Sequence, residues 1–174
     1  MKKVILLMGP AGSGKTTISE LLATKLDFKQ IDGEFIDSKY FPKGGQWLPE
    51  NLEKLQRAHD DVLAETKKAF DDGKNNVVVD YIIFGDYISF INNFKKVFED
   101  NLVMRVLMPE EKELVRRDAK RECWTAGPEH IKRVMNELSS IKNIIGEENY
   151  INTTNQTPEE TFQKYFELLS YLKT

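Results

Sequence analysis

The chain has 174 residues, 40% hydrophobic and 30% charged, with 28 acidic against 25 basic side chains and a formal net charge of −3. That length suits one α/β domain with a sizeable core, and the acidic balance argues against a large nucleic-acid footprint while leaving room for a small basic groove. The one cysteine, Cys123, excludes an intrachain disulfide and a cysteine-based zinc site, and reads as an inert small hydrophobe.

Val4 to Met8 is apolar at every position, as a central parallel strand buried on both faces requires. The run is too short for a membrane span or a signal-peptide core, so cytoplasm is the default location. Gly9-Pro10-Ala11-Gly12-Ser13-Gly14-Lys15-Thr16 follows, and Thr17 to Leu26 carries Ile18, Leu21 and Leu22 at helical spacing. Strand, glycine-rich loop and helix are the context that G-x-x-x-x-G-K-[ST] needs. Glycines let the loop turn its N–H groups inward, and the helix that follows points its positive end at the same place. Lys15 then reaches the β- and γ-phosphates of a nucleoside triphosphate, and the Thr16 hydroxyl suits Mg²⁺. The absence of an N-K-x-D motif leans the nucleotide toward ATP.

A second strand is expected over Phe28 to Ile31, ending in Asp32-Gly33-Glu34. Phe35 to Leu48 reads as an irregular stretch, of a length that is often functional. Pro49 opens a helix with Leu52, Leu55, His59, Val62, Thr66 and Ala69 on one face, stopped at Gly73. His59 on that stripe reads as a hydrogen-bonded core histidine. Val77 to Asp80 is the third strand. Asp86 caps a helix with Tyr87, Phe90, Ile91, Phe94, Val97 and Phe98 on one face.

Leu102 to Met108 is the fourth strand, with Arg105 placed at a sheet surface. Pro109-Glu110-Glu111 starts an arginine-rich helix running through Arg121, and Gly127-Pro128 breaks it. The next helix carries a stripe from Ile131 to Ile145. Tyr150 to Asn152 is a last short strand, and Thr157-Pro158-Glu159-Glu160 has the form of a capping box before the final helix.

Strands alternating with helices predict an α/β fold with a parallel sheet and right-handed crossovers, ligands sitting beyond the carboxyl ends of the strands. At those ends lie the phosphate loop, Asp32, Asp80, the arginine-rich helix and Thr153-Thr154-Asn155-Gln156. Two acids, a phosphate cradle and arginines on one rim make a phosphoryl-transfer constellation. Asp80 suits a Mg²⁺-holding acid behind Thr16, or a solvated turn acid. Asp32 suits the group that orients or deprotonates an acceptor hydroxyl, or a helix cap. Glu34 reads as a surface acid. Arg117 and Arg121, four apart, share a helix face and can close on a transferring phosphoryl group; a salt-bridged solvated face is the alternative, given Glu110, Glu111, Glu113, Asp118 and Glu122. Trp47, Tyr81, Phe84 and Trp124 either line an acceptor pocket or pack.

These residues resemble the small P-loop kinases of the nucleoside-monophosphate-kinase-like group. Gly9 to Thr17 is similar to their phosphate loop. Ile31 to Glu34 resembles the acid-bearing strand end of adenylylsulfate kinases, gluconate kinases and chloramphenicol phosphotransferases. Arg116 to Arg121 resembles their lid, and Thr153 to Pro158 the turn that cups adenine.

The resemblance implies a three-layer α/β/α P-loop fold, a five-stranded parallel sheet in the order 2-3-1-4-5, and one kinase domain over 1–174 with a lid near 110–128. It implies ATP and Mg²⁺ as cofactors, held by Gly9, Ala11, Gly12, Ser13, Gly14, Lys15, Thr16, Thr17, Thr154 and Asn155, with Thr16 and Asp80 at the metal and Lys15, Asp32, Arg117 and Arg121 at the chemistry. The chain departs from the group where Phe35-Ile36-Asp37-Ser38 follows Asp32. No arginine stands between Met1 and Arg57. That favours a neutral or weakly charged small-molecule hydroxyl acceptor over a nucleoside monophosphate, shikimate or a nucleic-acid 5′-hydroxyl. A nucleotide-binding switch with little catalysis is the reading of another class, and monomer and homodimer remain open.

Overall fold

The computed structural model describes residues 2–122 and 124–170, so the expectation for Cys123 lies outside the described residues. Five parallel strands, β1 (Lys3–Met8), β2 (Lys29–Asp32), β3 (Asn76–Asp80), β4 (Leu102–Leu107) and β5 (Tyr150–Ile151), form one sheet in the order β2-β3-β1-β4-β5. This is the expected order. Among them run α1 (Lys15–Leu26), α2 (Gly33–Ser38), α3 (Leu52–Asp71), α4 (Tyr87–Phe98), α5 (Glu111–Asp118), α6 (Pro128–Ser140), α7 (Lys142–Ile145) and α8 (Pro158–Tyr165).

The sheet has a core on each face, which is why Val4 to Met8 of β1 and Val77 to Val79 of β3 read as unbroken apolar runs. Val4, Leu6 and Met8 point one way, with Val77 and Val79, against Leu55, Val62, Phe90, Phe94, Ile131 and Val134 of α3, α4 and α6. Ile5, Leu7 and Val78 point the other way, against Ile18 and Leu22 of α1 and Phe162 of α8. All of β1 from Val4 to Met8 is fully buried, and each such aliphatic side chain contributes about 1.5–3 kcal/mol. Thr157 and Glu160 form the expected capping box at α8.

Several boundaries differ from the expectation. The stretch expected to be irregular begins with α2, because the Asp32 carboxylate accepts the Phe35 N–H at 2.9 Å and caps it. Leu52 and Val97, placed on buried faces by periodicity, are exposed. The arginine-rich helix ends at Asp118, whose carboxylate accepts the backbone N–H groups of Ala126 and Gly127 and so folds the chain back. Arg121 therefore lies beyond the helix. The stripe from Ile131 to Ile145 is split at Ile141 into α6 and α7. Arg105 is half-buried and donates to the Asn149 side chain and the Met104 carbonyl.

Gly33 shows how tightly α2 is seated. A Cβ there would lie 2.5 Å from Cγ of Tyr81, a distance that real Cβ contacts do not show. Tyr81 is fully buried and its hydroxyl donates to Asp37 at 3.0 Å, so the ring cannot swing away. Gly33→Ala is therefore expected to lower stability by about 1–3 kcal/mol. Urea denaturation reads this directly, and a midpoint equal to that of the unchanged chain would contradict it.

Candidate active site

The loop between β1 and α1 closes one wall of a 640 Å³ cavity at the carboxyl end of the sheet. Ala11 to Thr17 line it, facing Arg116, Arg117 and Arg121, while Thr154 to Pro158 line a third side. Gly9 is outside that lining. Gly12 has φ +77°, and a Cβ on it would meet the Leu114 carbonyl oxygen at 2.8 Å. A side chain there would push α5 off the phosphate loop, so this glycine sets the approach of the arginines.

Lys15 is 5% exposed, with its Nζ 3.4 Å from the Pro10 carbonyl and 3.7 Å from Glu34 Oε1. Glu34 lines the cavity. Its expected place was the open surface. Asp32, the acid expected to face an acceptor, is exposed and lines a separate 550 Å³ cavity with Lys29, Phe35, Asp61 and Lys68. It pairs in register with Asp80 across the β2–β3 ladder. The start of α2 decides this: the helix begins at Gly33 and carries Glu34, two residues beyond Asp32, toward Lys15.

Asp80 is 3% exposed. Burial raises its carboxyl to about 6, against the pull of the Lys15 charge and the Thr16 hydroxyl. Its Oδ1 is buried with no hydrogen-bond partner. An orphaned carboxylate oxygen beside a threonine hydroxyl suits Mg²⁺, which takes hard oxygen ligands and keeps several waters. Among the described residues no group of three or more His, Cys, Asp or Glu is placed to hold a metal ion.

The arginines are organised by a residue that the sequence reading counted only as a neighbouring acid. Glu113 accepts from Arg116 Nε at 2.7 Å and from Arg117 Nε at 2.6 Å. The Arg116 and Arg117 hydrogen bonds hold its carboxyl down at about 2. Arg117 also donates to the Thr153 carbonyl at 2.9 Å, tying α5 to the turn after β5. Arg121 is 3.7 Å from Asp118. The i,i+3 and i,i+4 spacing of Glu113 to the two arginines was the available signal. In that turn the Thr154 hydroxyl accepts the Glu110 N–H at 2.8 Å, and Asn155, Gln156 and Thr157 complete the cup.

The AAA-domain family model matches residues 5–137, which takes in the phosphate loop, both acidic strand ends and the arginine helix. The chain belongs to the AAA-domain family. Among curated relatives it is 27% identical over 175 aligned residues to a shikimate kinase of Enterococcus faecalis, covering 97% of this chain and 98% of that one. It is 36% identical over 58 residues to a probable gluconokinase of Schizosaccharomyces pombe, a match spanning 33% of this chain and only 25% of that protein's length. Among solved structures, a sugar kinase from Janibacter sp. HTCC2649 superposes with a TM-score of 0.72 at 16% identity, covering 100% of this chain and 99% of that one. The resemblance to small P-loop kinases holds, and shikimate kinases, disfavoured by the missing early arginine, stand among the relatives of this AAA-domain chain.

Beside the phosphate cavity the AAA-domain chain carries a buried polar cluster. Asp37, 1% exposed, accepts from the Tyr81 hydroxyl at 3.0 Å and from Gln46 Nε2 at 3.4 Å. Burial outweighs both hydrogen bonds and pushes its carboxyl up to about 7. A carboxyl raised in the folded state binds its proton more tightly there than in the unfolded chain. Its contribution to stability is complete below about pH 4 and is lost as pH rises through about 7. Asp37→Asn should therefore flatten the fall in Tm between about pH 4 and 7 by several degrees. Thermal melts across that range check this; parallel curves for the two proteins would contradict it.

His59 is buried edge-on to Tyr81 and Phe90, and burial lowers it to about 4, so it stays neutral. Its Nε2 has no partner, in place of the expected hydrogen bond. Trp47, Phe84, Trp124 and His130 meet as a cluster of rings. Tyr81 packs in the core.

Proposed function

We propose that this chain is an ATP–Mg²⁺-dependent kinase that moves the γ-phosphoryl group to a hydroxyl of a small-molecule acceptor. The observation that carries the reading is the cavity in which the phosphate loop, three arginines and Glu34 converge, with Glu34 3.7 Å from Lys15. The shikimate kinase and gluconokinase relatives and the sugar kinase structure support it. We read 1–174 as one kinase domain with a lid near 110–128, acting in the cytoplasm as a monomer or homodimer. Among the described residues no helix is long and apolar enough to cross a membrane.

In this reading the loop amides from Ala11 to Thr17 and the Lys15 ammonium hold the β- and γ-phosphates. Thr154 and Asn155 border the adenine, and Gly9 shapes the loop from beneath. When bound, Mg²⁺ supplies charge neutralisation across the phosphates, with Thr16 as ligand and Asp80 behind it. Asp32, paired beside Asp80, adds a second carboxylate to that side. Arg117 and Arg121 stabilise negative charge on the transferring group, and closure of the lid excludes water. Glu34 takes the acceptor role expected of Asp32: it orients the hydroxyl and receives its proton. The acceptor O–P bond forms in line as the bond to the β-phosphate oxygen breaks, and ADP leaves.

ADP formation from Mg²⁺–ATP is the test, run with pools of sugars, sugar acids, nucleosides, nucleotides and phenolic alcohols. One pool should raise the rate well above the acceptor-free level. Nucleotide binding with no pool active would contradict the reading and favour a nucleotide-binding switch.

A further inference from the structure

The sheet ends at β2 on one side, away from the phosphate loop. Among the described residues β2 pairs with β3 alone, and an unpaired strand edge is a template for another strand. The 550 Å³ cavity that holds Asp32 runs along this edge as a groove between α2 and α3. Phe35 borders it and is 65% exposed, with Lys39 Nζ 5.4 Å from its ring centroid. Six exposed charged side chains line the groove: Lys29, Lys39 and Lys68, and Asp32, Asp61 and Glu65. Among the described residues only Lys68 of the six is in an ion pair, with Asp72. The other five share one groove without an opposite charge within ion-pair distance.

Their order has a direction. The α3 helix returns the chain from the end of β2 to the start of the parallel β3, so it runs antiparallel to β2. Tyr40, just beyond α2, donates to Asp61 at 2.6 Å, which puts Asp61 with Asp32 at the carboxyl end of β2. Lys2, before β1, lies 5.4 Å from the Phe70 ring centroid, which puts the last turns of α3, with Lys68, at the amino end beside Lys29. The groove is therefore basic at one end and acidic at the other. Lys39 lies toward the acidic end, and Glu65 toward the basic end. Turned end for end, this pattern matches itself: Lys29 and Lys68 meet Asp32 and Asp61, and Lys39 meets Glu65. A twofold interface built from one patch used twice requires such self-complementarity.

We infer that the β2 edge is the interface of a homodimer, in which two copies of this chain join antiparallel about a twofold axis perpendicular to the sheet. Such an axis keeps the α3 helices of both copies on the same side of the joined sheets. The two β2 strands lie edge to edge, the two α3 helices lie side by side near Ala64, and Phe35 is covered. Lys29 shares its strand face with Ile31, which packs on the α3 side, so it meets the partner's Asp61. An edge carrying one sign of charge would repel its own copy; this edge attracts it. The same contact braces α2, which carries Phe35 and Glu34 together. The inference stands without the kinase reading.

Sedimentation equilibrium of the full chain tests this. A dimer should form below about 100 µM at low salt, and should weaken as NaCl rises from about 0.05 to 0.5 M. Lys29→Glu and Asp61→Lys each put like charges together at two symmetric points. Each should weaken dimerisation roughly tenfold or more, and the double variant should recover most of that loss. Both residues are exposed and outside the phosphate cavity, so the variants should melt with the unchanged chain. Lys39→Glu with Glu65→Lys is a second pair, read in the same way. A chain that stays monomeric at about 100 µM would overturn the inference, leaving the edge to solvent or to another protein. A dimer that the single reversals leave intact would overturn it too, by placing the contact on another face. So would double variants that dimerise no more tightly than the singles.

Discussion

Lys15→Ala is expected to lower kcat/KM for phosphoryl transfer by about 10³-fold or more, the scale at which single cationic groups act in this chemistry. Lys15 is nearly buried, and its Nζ has the Pro10 carbonyl and Glu34 as partners. Asp80 also lies within reach of its charge. Taking the ammonium away leaves Glu34 and Asp80 facing the phosphates without a counter-charge, so both the bound nucleotide and the transfer step lose stabilisation. The loop amides and the N-terminal end of α1 remain. Nucleotide binding should therefore weaken while transfer collapses. Steady-state kinetics beside calorimetric ATP titration separate the two effects. A variant that keeps more than a tenth of the transfer rate would contradict the placing of Lys15 at the reacting phosphate.

Glu34→Gln should lower kcat by about 10²- to 10⁴-fold while leaving the KM for ATP nearly unchanged. The amide keeps the shape of the side chain and its place in the cavity, but it cannot take the proton of the acceptor hydroxyl. Asp32→Asn is the matched control. Asp32 lines the other cavity and caps α2 through the Phe35 N–H, so its loss should act on α2 and the metal side and cost less in turnover. The order of the two effects is the informative part. If Asp32→Asn costs more turnover than Glu34→Gln, the hydroxyl-orienting role belongs to Asp32, as its place after strand two suggested.

That contest marks how far the sequence reads. Val4 to Thr16 was legible because everything it needs is local: an apolar run, glycines at fixed offsets, then a lysine and a hydroxyl. Strand order followed from alternation of strands and helices together with the family resemblance. The choice between Asp32 and Glu34 was not legible. It turns on where a six-residue helix begins, and that depends on a single cap at Asp32 and on Gly33 passing over Tyr81. Arg117 and Arg121 were rightly brought to one cavity by a wrong route, since Asp118 ends the helix between them by capturing backbone N–H groups 8 and 9 residues ahead. Periodicity cannot report a side chain that bonds that far along the chain. The contact of Trp47 with His130 joins α6 to the segment after α2, and no window along the chain contains both.

Where the γ-phosphoryl group goes is the most direct test of the whole account. ATP labelled at the γ-phosphorus would be turned over with the acceptor pool that stimulates ADP formation, and the products separated. The account predicts that the label appears in an acid-stable phosphate ester of the acceptor, in step with ADP, with little inorganic phosphate. Label released as inorganic phosphate at the same rate with and without acceptor would contradict it, and would make the cavity that of a hydrolase or a switch.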